Sequence, residues 1–258
     1  MTTPDGPPRA ATGSLLAGPI CAVIFDWGGT LTPFHNVDLL DLWRVAADIL
    51  APDRAAELAD ALADSERAWW DAAVLTGRSG TTADLIAAAA TATGIDIDAA
   101  LHDEALTAHL EAWTAHTLTD PQAAPLLRAL RARGLRTGLL SNTHWPQSWH
   151  ERWLERDGIL DLLDARVYTS ELEYVKPHAP AFRAALDAVG VADPSRVVFV
   201  GDRPHDDISG AQAMGMRTVL VPNSIVPTYD VVPDATIIRL SELLPLVEGW
   251  LSDPETPL

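Results

Sequence analysis

Six consecutive residues, Ile20-Cys21-Ala22-Val23-Ile24-Phe25, carry no charged or strongly polar side chain, stop at Asp26 and meet the Gly28-Gly29 pair. A continuous apolar run without alternation predicts a strand buried on both faces, as in a parallel sheet covered by helices. Further short runs end at Leu140, Tyr168, Val200 and Val221, each closed by polar or turn residues. Helical stretches lie between them: Pro125 to Arg133 closed by Gly134, Ala181 to Val189 closed by Gly190, and Ile208 to Met214 closed by Gly215. Strand and helix alternate, so the chain predicts an α/β fold with a Rossmann-like parallel sheet core.

The segment 36–119 breaks this alternation. It holds amphipathic helical stripes in series and no convincing strand: Leu39, Leu42, Trp43, Ala46 and Leu50; Leu58, Leu62 and Trp69; Leu85, Ile86 and Ala89; Leu101, Leu106, Leu110 and Trp113. Four such helices make a bundle. Because the insertion follows the first strand directly, and sites in open α/β sheets lie at strand carboxyl ends, the bundle is expected over the site as a cap. The expected organisation is a flexible leader at 1–19, an α/β core at 20–35 and 120–258, and a helical cap at 36–119.

At 258 residues and 48% hydrophobic content the chain can fill a substantial core. Its formal charge of −18 disfavours long contacts with nucleic-acid phosphates or acidic lipid surfaces, so neither is an expected partner. A small phosphorylated molecule held by local groups is compatible with that charge. Cys21 is the single cysteine, and the first nineteen residues lack a basic start and an apolar stretch, which together predict a cytoplasmic protein. Lys176 is the single lysine. No feature specifies an oligomeric state.

Four polar groups fall just past predicted strand ends: Asp26; Ser141 with Asn142; Lys176; and Asp202 with Asp206 and Asp207. Parallel strands bring such positions together. Asp26 and Asp202 offer hard oxygen ligands for Mg²⁺, while Lys176 and Ser141 are suited to neutralising and orienting phosphoryl oxygens. An ionised carboxylate can attack phosphorus in line and needs no base to activate it.

The segments Val23 to Leu31, Leu139 to Asn142, Lys176-Pro177 and Gly201 to Asp207 resemble, in order, the four motifs of the haloacid dehalogenase superfamily. The resemblance spans Ile20 to about Asn223. It implies Asp26 as nucleophile, Ser141 and Lys176 as phosphate binders, and Asp202 as a metal ligand supported by Asp206 or Asp207. It further implies that the Gly28 carbonyl completes a Mg²⁺ shell, that Gly29, Thr30 and Asn142 lie at the substrate, and that an α-helical C1-type cap between the first two motifs houses selectivity.

One position departs from the family's phosphatase pattern. A second aspartate two residues after the nucleophile, which protonates the leaving group and later activates water, is replaced by Gly28. Such assistance contributes roughly 10²–10⁴-fold. His35, His144 and His205 leave the same strand ends and are the groups available to replace it. Arg78, in a loop between cap helices, is a possible contact for a second substrate anion.

Each of these residues also has a purely structural role open to it. Asp26 before two glycines suits a turn, Asp207 suits a helix cap near Ile208, and Ser141 suits a strand-end turn. His102, His109 and His116 share a helical face but span roughly 10 Å each seven residues, too far for one metal. Trp145, Trp149 and Trp153, with Trp43, Trp69, Trp70 and Trp113, are expected as packing.

The first motif also resembles that of phosphonoacetaldehyde hydrolases, which need a cap lysine that 36–119 lacks. The 2-haloacid dehalogenases lack the metal-binding aspartate that Asp202 supplies here. A Mg²⁺-dependent phosphatase acting through an aspartyl phosphate is therefore the expected function, with a non-catalytic phosphate-binding or regulatory module as the alternative.

Overall fold

The computed structural model describes residues 19–222 and 229–252, so the leader expected over 1–19 lies, apart from Pro19, outside the described residues. Among them, the strands β1 (Ala22–Phe25), β2 (Arg136–Ser141), β3 (Ala165–Tyr168), β4 (Val197–Gly201), β5 (Arg217–Leu220) and β6 (Ala235–Thr236) form one sheet. Their order is β3-β2-β1-β4-β5-β6, and every pairing is parallel. The chain builds outward from β1 to β3, then crosses back to place β4 on the other side of β1. That reversal opens a crevice at the carboxyl ends of β1 and β4, where α/β sheets bind ligands.

Burial on both faces explains the unbroken apolar runs. Val23 and Phe25 of β1, with Leu139, Val198 and Val200, pack beneath α5 (Ala123–Ala132) and α9 (Leu243–Ser252). Ala22 and Ile24, with Leu140, Val197 and Phe199, pack on the opposite face against Phe182 and Leu186 of α7 (Ala179–Val189). Burying each large side chain of this kind stabilises the fold by about 1.5–3 kcal/mol.

Between β1 and α5 stand α1 (Leu39–Leu50), α2 (Ala55–Thr76), α3 (Thr82–Thr93) and α4 (His102–Trp113). The stripes of α1, α2 and α3 converge on a separate core containing Trp43, Leu50, Leu58, Leu62, Leu85 and Ile86, whereas Leu106, Leu110 and Trp113 of α4 pack into the core of the sheet. The ends are set by local chemistry. Asp38 accepts from the Leu40 N–H at 2.9 Å, Thr81 and Asp84 form a reciprocal cap on α3, and Gly77 ends α2 at φ 68°.

These helices are tied to loops that leave the sheet: Thr82 N–H donates to His144 O at 2.8 Å and Val175 N–H to Gly77 O at 2.9 Å. Farther round, Arg152 of α6 (Gln147–Arg156) donates to Glu111 at 3.0 Å. His144 follows β2 and Val175 follows β3, so the helical layer lies over the carboxyl end of the sheet.

The three helices expected outside the insertion all differ in their bounds, α7 by starting at Ala179 rather than Ala181. Helix α5 starts at Ala123, because Pro125 sits in the first turn, where its missing N–H needs no partner. The helix expected from Ile208 to Met214 is a wide π-type turn over Pro204–Ser209 followed by α8 (Gly210–Ala213). Among the described residues, no helix is long and apolar enough to cross a membrane.

Candidate active site

Asp26 is the first residue beyond β1. Its N–H donates to Val200 O at 2.8 Å, which extends the ladder by one position and sets the side chain beside the end of β4. The loop then turns back: Gly29 N–H donates to Thr32 O at 2.7 Å and Thr32 N–H to Trp27 O at 2.9 Å. Gly29 adopts φ 86°, and a Cβ there would collide with the Asp202 carboxylate. Glycine serves both the left-handed backbone and this close approach.

Lys176 reaches the same point from the loop after β3. The Asn142 side chain clamps its backbone, accepting from Lys176 N–H at 2.8 Å and donating to Lys176 O at 3.1 Å. The Lys176 ammonium then donates to Asp26 Oδ1 at 2.5 Å and to Asp207 Oδ1 at 2.6 Å, and all three side chains are buried. The other Asp207 oxygen accepts from Arg203 N–H at 2.9 Å. Asp207 thus ties the wide turn back to its start while facing the lysine.

The electrostatics follow from burial and crowding. Burial raises the Asp26 carboxyl, Lys176 lowers it and Asp207 raises it, leaving it at about 6. Burial pulls the Lys176 ammonium down, but Asp207 and Asp26 outweigh burial and hold it above the ordinary lysine value. Asp206 is raised, first by burial and then by Asp207, despite Arg203 at 3.7 Å. Among the described residues, four carboxylates, Asp26, Asp202, Asp206 and Asp207, outnumber the two cations they face, Lys176 and Arg203, by two negative charges when all are ionised.

Asp26, Asp202 and Asp207 each offer an oxygen, and these oxygens lie within 4.8 Å of one another. All three donors are hard and anionic. Their number, spacing and excess charge fit a divalent cation that prefers oxygen ligands.

A cavity of about 340 Å³ opens above this cluster, lined by Asp26, Gly28, Gly29, Ser141, Asn142, Lys176 and Asp206 among others. The structure therefore brings together most of the sequence-derived set. Two members fall elsewhere. Thr30 is buried and faces a smaller cavity with Pro33 and Asp120. Arg78 does not line the main cavity: its guanidinium pairs with Glu173 and lies over the Tyr174 ring, so the second-anion contact expected of it is already occupied within the protein.

The histidines also separate. His205 stacks on Tyr229 and does not line the cavity. His144 is buried, with Nε2 3.2 Å from Glu66 Oε1 and Nδ1 3.1 Å from Thr82 Oγ1, so both ring nitrogens are engaged. His35 lines the cavity with its ring edge against His116, which lines it too. His109, which the sequence placed on a solvated or packing face, is buried against Trp43 with ring centroids 3.8 Å apart.

Glu66, absent from the sequence-derived set, also lines the cavity. It accepts from Trp43 Nε1 at 2.6 Å and faces His144, and these partners hold its carboxyl below the usual range although burial opposes them. Trp70, Trp113 and Trp145, expected as packing, are cavity-lining as well. A charged helical position and a tryptophan stripe carry no sequence signal that separates these roles.

A parallel sheet with a carboxylate cluster at its switch point, roofed by helices, defines an α/β protein with an acidic site at the strand carboxyl ends. Residues 20–215 match the family model for haloacid dehalogenase-like hydrolases, and the chain belongs to that family. It is 32% identical over 209 residues to the phosphoglycolate phosphatase of Rhodospirillum rubrum, covering 78% of each chain. It is also 32% identical over 131 residues to the pyrimidine 5'-nucleotidase YjjG of Escherichia coli, covering 48% of this chain and 56% of that enzyme. The chain thus spans little more than half the length of that relative. Among solved structures, the 2-haloacid dehalogenase from Pseudomonas syringae pv. Tomato superposes with a TM-score of 0.66 at 26% identity, covering 90% of this chain and 99% of that one.

Proposed function

We propose that the protein is a Mg²⁺-dependent phosphatase that hydrolyses a small phosphorylated molecule through an aspartyl phosphate on Asp26. The observation that carries this reading is the buried Asp26 carboxylate on the cavity floor, in contact with Lys176 and within shared-cation distance of Asp202 and Asp207. Similarity to a phosphoglycolate phosphatase and a nucleotidase supports phosphomonoester chemistry. The acidic cluster favours it over dehalogenation, because a metal-free halide displacement has no use for Asp202 and Asp207 beside the nucleophile. In this assignment residues 36–119 are the cap, of C1 type, and 20–35 with 120–258 are the core.

Asp26, Asp202, Asp207 and the Gly28 carbonyl would hold Mg²⁺, which when bound supplies positive charge to the phosphoryl oxygens. An Asp26 oxygen attacks phosphorus, the bond from phosphorus to the leaving oxygen breaks, and that oxygen departs with the electron pair. Lys176 balances the charge of the three equatorial oxygens, and Ser141 donates a hydrogen bond to one of them. Water then attacks phosphorus, the bond from phosphorus to the Asp26 oxygen breaks with its electron pair returning to the carboxylate, and the proton released by the water reaches the departed oxyanion through solvent, giving orthophosphate and the free hydroxyl product. Asn142 acts by positioning, since both ends of its amide hold the Lys176 backbone.

The test is orthophosphate release from acetyl and aryl phosphates with MgCl₂ or EDTA, combined with acid-quench trapping of phosphorylated Asp26. Asp26→Asn should abolish turnover without lowering the melting temperature, and Asp202→Ala should lower Mg²⁺ affinity and rate together. Wild-type turnover in Asp26→Asn would remove this residue from the mechanism. Unchanged metal dependence in Asp202→Ala would reject the proposed metal site.

A further inference from the structure

Resting on the phosphatase reading, we propose that the leaving group is a flat aromatic ring, so that the substrate is a small aryl phosphate. Aromatic side chains from the sheet loops and from the helical layer line the cavity. Trp27 and Phe34 come from the loop after β1, Trp70 from α2, Trp113 from α4 and Trp145 from the loop after β2. Trp113 and Trp145 meet across the junction of helical layer and sheet, with ring centroids 4.8 Å apart. Aromatic rings stack or meet edge to face with such walls and gain beyond their buried area.

Size and charge narrow the occupant. A cavity of about 340 Å³ is at the small end of ligand sites and accommodates one small molecule. The lysine and arginine side chains lining it are Lys176 and Arg203. Lys176 is committed to Asp26 and Asp207, and Arg203 lies 3.7 Å from Asp206 amid an excess of carboxylates. Among the described lining residues, no lysine or arginine is thus left without a carboxylate beside it for a leaving group that carries its own carboxylate or second phosphate. Glu66, the carboxylate that lines the cavity on the helical side, is already engaged by Trp43 and His144.

The chemistry at Gly28 points the same way. A Cβ built there meets no described residue within 4 Å, so the place of the absent side chain is open. A phenolate leaves as a resonance-stabilised anion and needs little protonation as the phosphorus–oxygen bond breaks. An alkoxide needs it, and losing a general acid costs about 10²–10⁴-fold in rate. Wall and missing acid thus select the same class of leaving group by separate physical effects.

Acidity and shape can be separated experimentally. Wild-type enzyme with Mg²⁺ is given phenyl and 2-naphthyl phosphates, fluoroalkyl phosphates of matched leaving-group acidity, acetyl phosphate and phosphoglycolate. Binding of phenylphosphonate and methylphosphonate is measured by calorimetry. The expected result is kcat/KM at least about tenfold higher for aryl than for matched fluoroalkyl esters, and phenylphosphonate binding at least about tenfold tighter. Trp70→Leu should lower the ratio of aryl to acetyl phosphate kcat/KM by about tenfold, with Trp70→Phe restoring most of it.

Equal kcat/KM for aryl and matched fluoroalkyl esters, or equal binding of the two phosphonates, overturns the aromatic assignment and leaves hydrolysis standing. Absence of Asp26-dependent phosphate release from every ester overturns the hydrolytic reading. In that case the phosphonate pair still decides whether the wall recognises a ring.

Discussion

Replacing Lys176 with methionine removes the ammonium that two buried carboxylates share while keeping much of the stem's volume. In the metal-free protein Asp26 and Asp207 would lose contacts of 2.5 and 2.6 Å, and Asp207 has no exposed surface at which solvent could replace its contact. Removing one partner of a buried pair costs about 3–5 kcal/mol. Proton uptake by Asp26 limits the damage, and its direction can be derived. The folded carboxyl sits at about 6 against 3.8 for the free group, so between these values the folded state binds more protons. Stability therefore falls as pH rises through that window.

Lys176 pulls the Asp26 carboxyl down, so its loss carries the window higher. The Lys176→Met deficit should accordingly be smaller at pH 5 than at pH 8. With about 2–4 °C per kcal/mol for a chain of this size, the expected drop in melting temperature at pH 8 in EDTA is about 6–20 °C. Calorimetry at both pH values measures it. Saturating Mg²⁺ should recover part of the loss, since ligand at a hundred times its Kd stabilises by about 2.7 kcal/mol. A variant melting within about 2 °C of wild type in EDTA at pH 8 would show that Lys176 does not compensate the buried carboxylates.

Two further perturbations probe the missing acid and the buried histidines. Gly28→Asp enters open space, and should speed alkyl phosphate hydrolysis by about 10²–10⁴-fold with a smaller gain on aryl esters. An unchanged alkyl rate, measured by orthophosphate release, would mean that another group, with His35 and His116 the first to mutate, already supplies the proton. Burial lowers His150 to about 3 and His109 to about 4 from 6.5. Here the unfolded state binds more protons, so stability is lost as pH falls below 6.5 towards those values, by about 1.4 kcal/mol per unit for each histidine. Urea midpoints at pH 7 and 5 should separate less in His150→Phe than in wild type, and equal separations would contradict the neutral burial of His150.

The sheet was legible because its strands are buried on both faces and end abruptly in polar residues. Asp26, Ser141 and Asp202 stand at those ends, and topology alone gathers them. The helices of the insertion were equally legible from their stripes: those of Trp43, Leu58 and Leu85 form one core, while the stripe of Leu106, Leu110 and Trp113 packs against the core of the sheet. Asp206 and Asp207 were not separable. Which of two adjacent carboxylates meets Lys176 depends on the width of the turn over Pro204–Ser209, and that width is set by Asp207 accepting from Arg203 N–H. Arg78 was misplaced because its partner, Glu173, is 95 residues away in the chain.

Glu66 and the tryptophans show where periodicity stops being informative. Glu66 stands beside Arg67 and two residues from Asp64, a pattern that suits a solvated helix face, yet the packing of α1 on α2 turns it to Trp43 and away from water. The spacing of Trp145, Trp149 and Trp153 predicts one shared helical face. Pro146 starts α6 after Trp145, yet the rings still meet through Trp153, which lies 5.4 Å from Trp145 and 5.8 Å from Trp149 between ring centroids. Trp153 is buried and stacks on Trp27 at 5.8 Å with an interplanar angle of 8°. Trp145 meets Trp113 beside the cavity. A stripe identifies which side chains leave solvent. Whether they then meet other side chains or enclose a volume that a ligand can fill is decided by what the insertion sets opposite them.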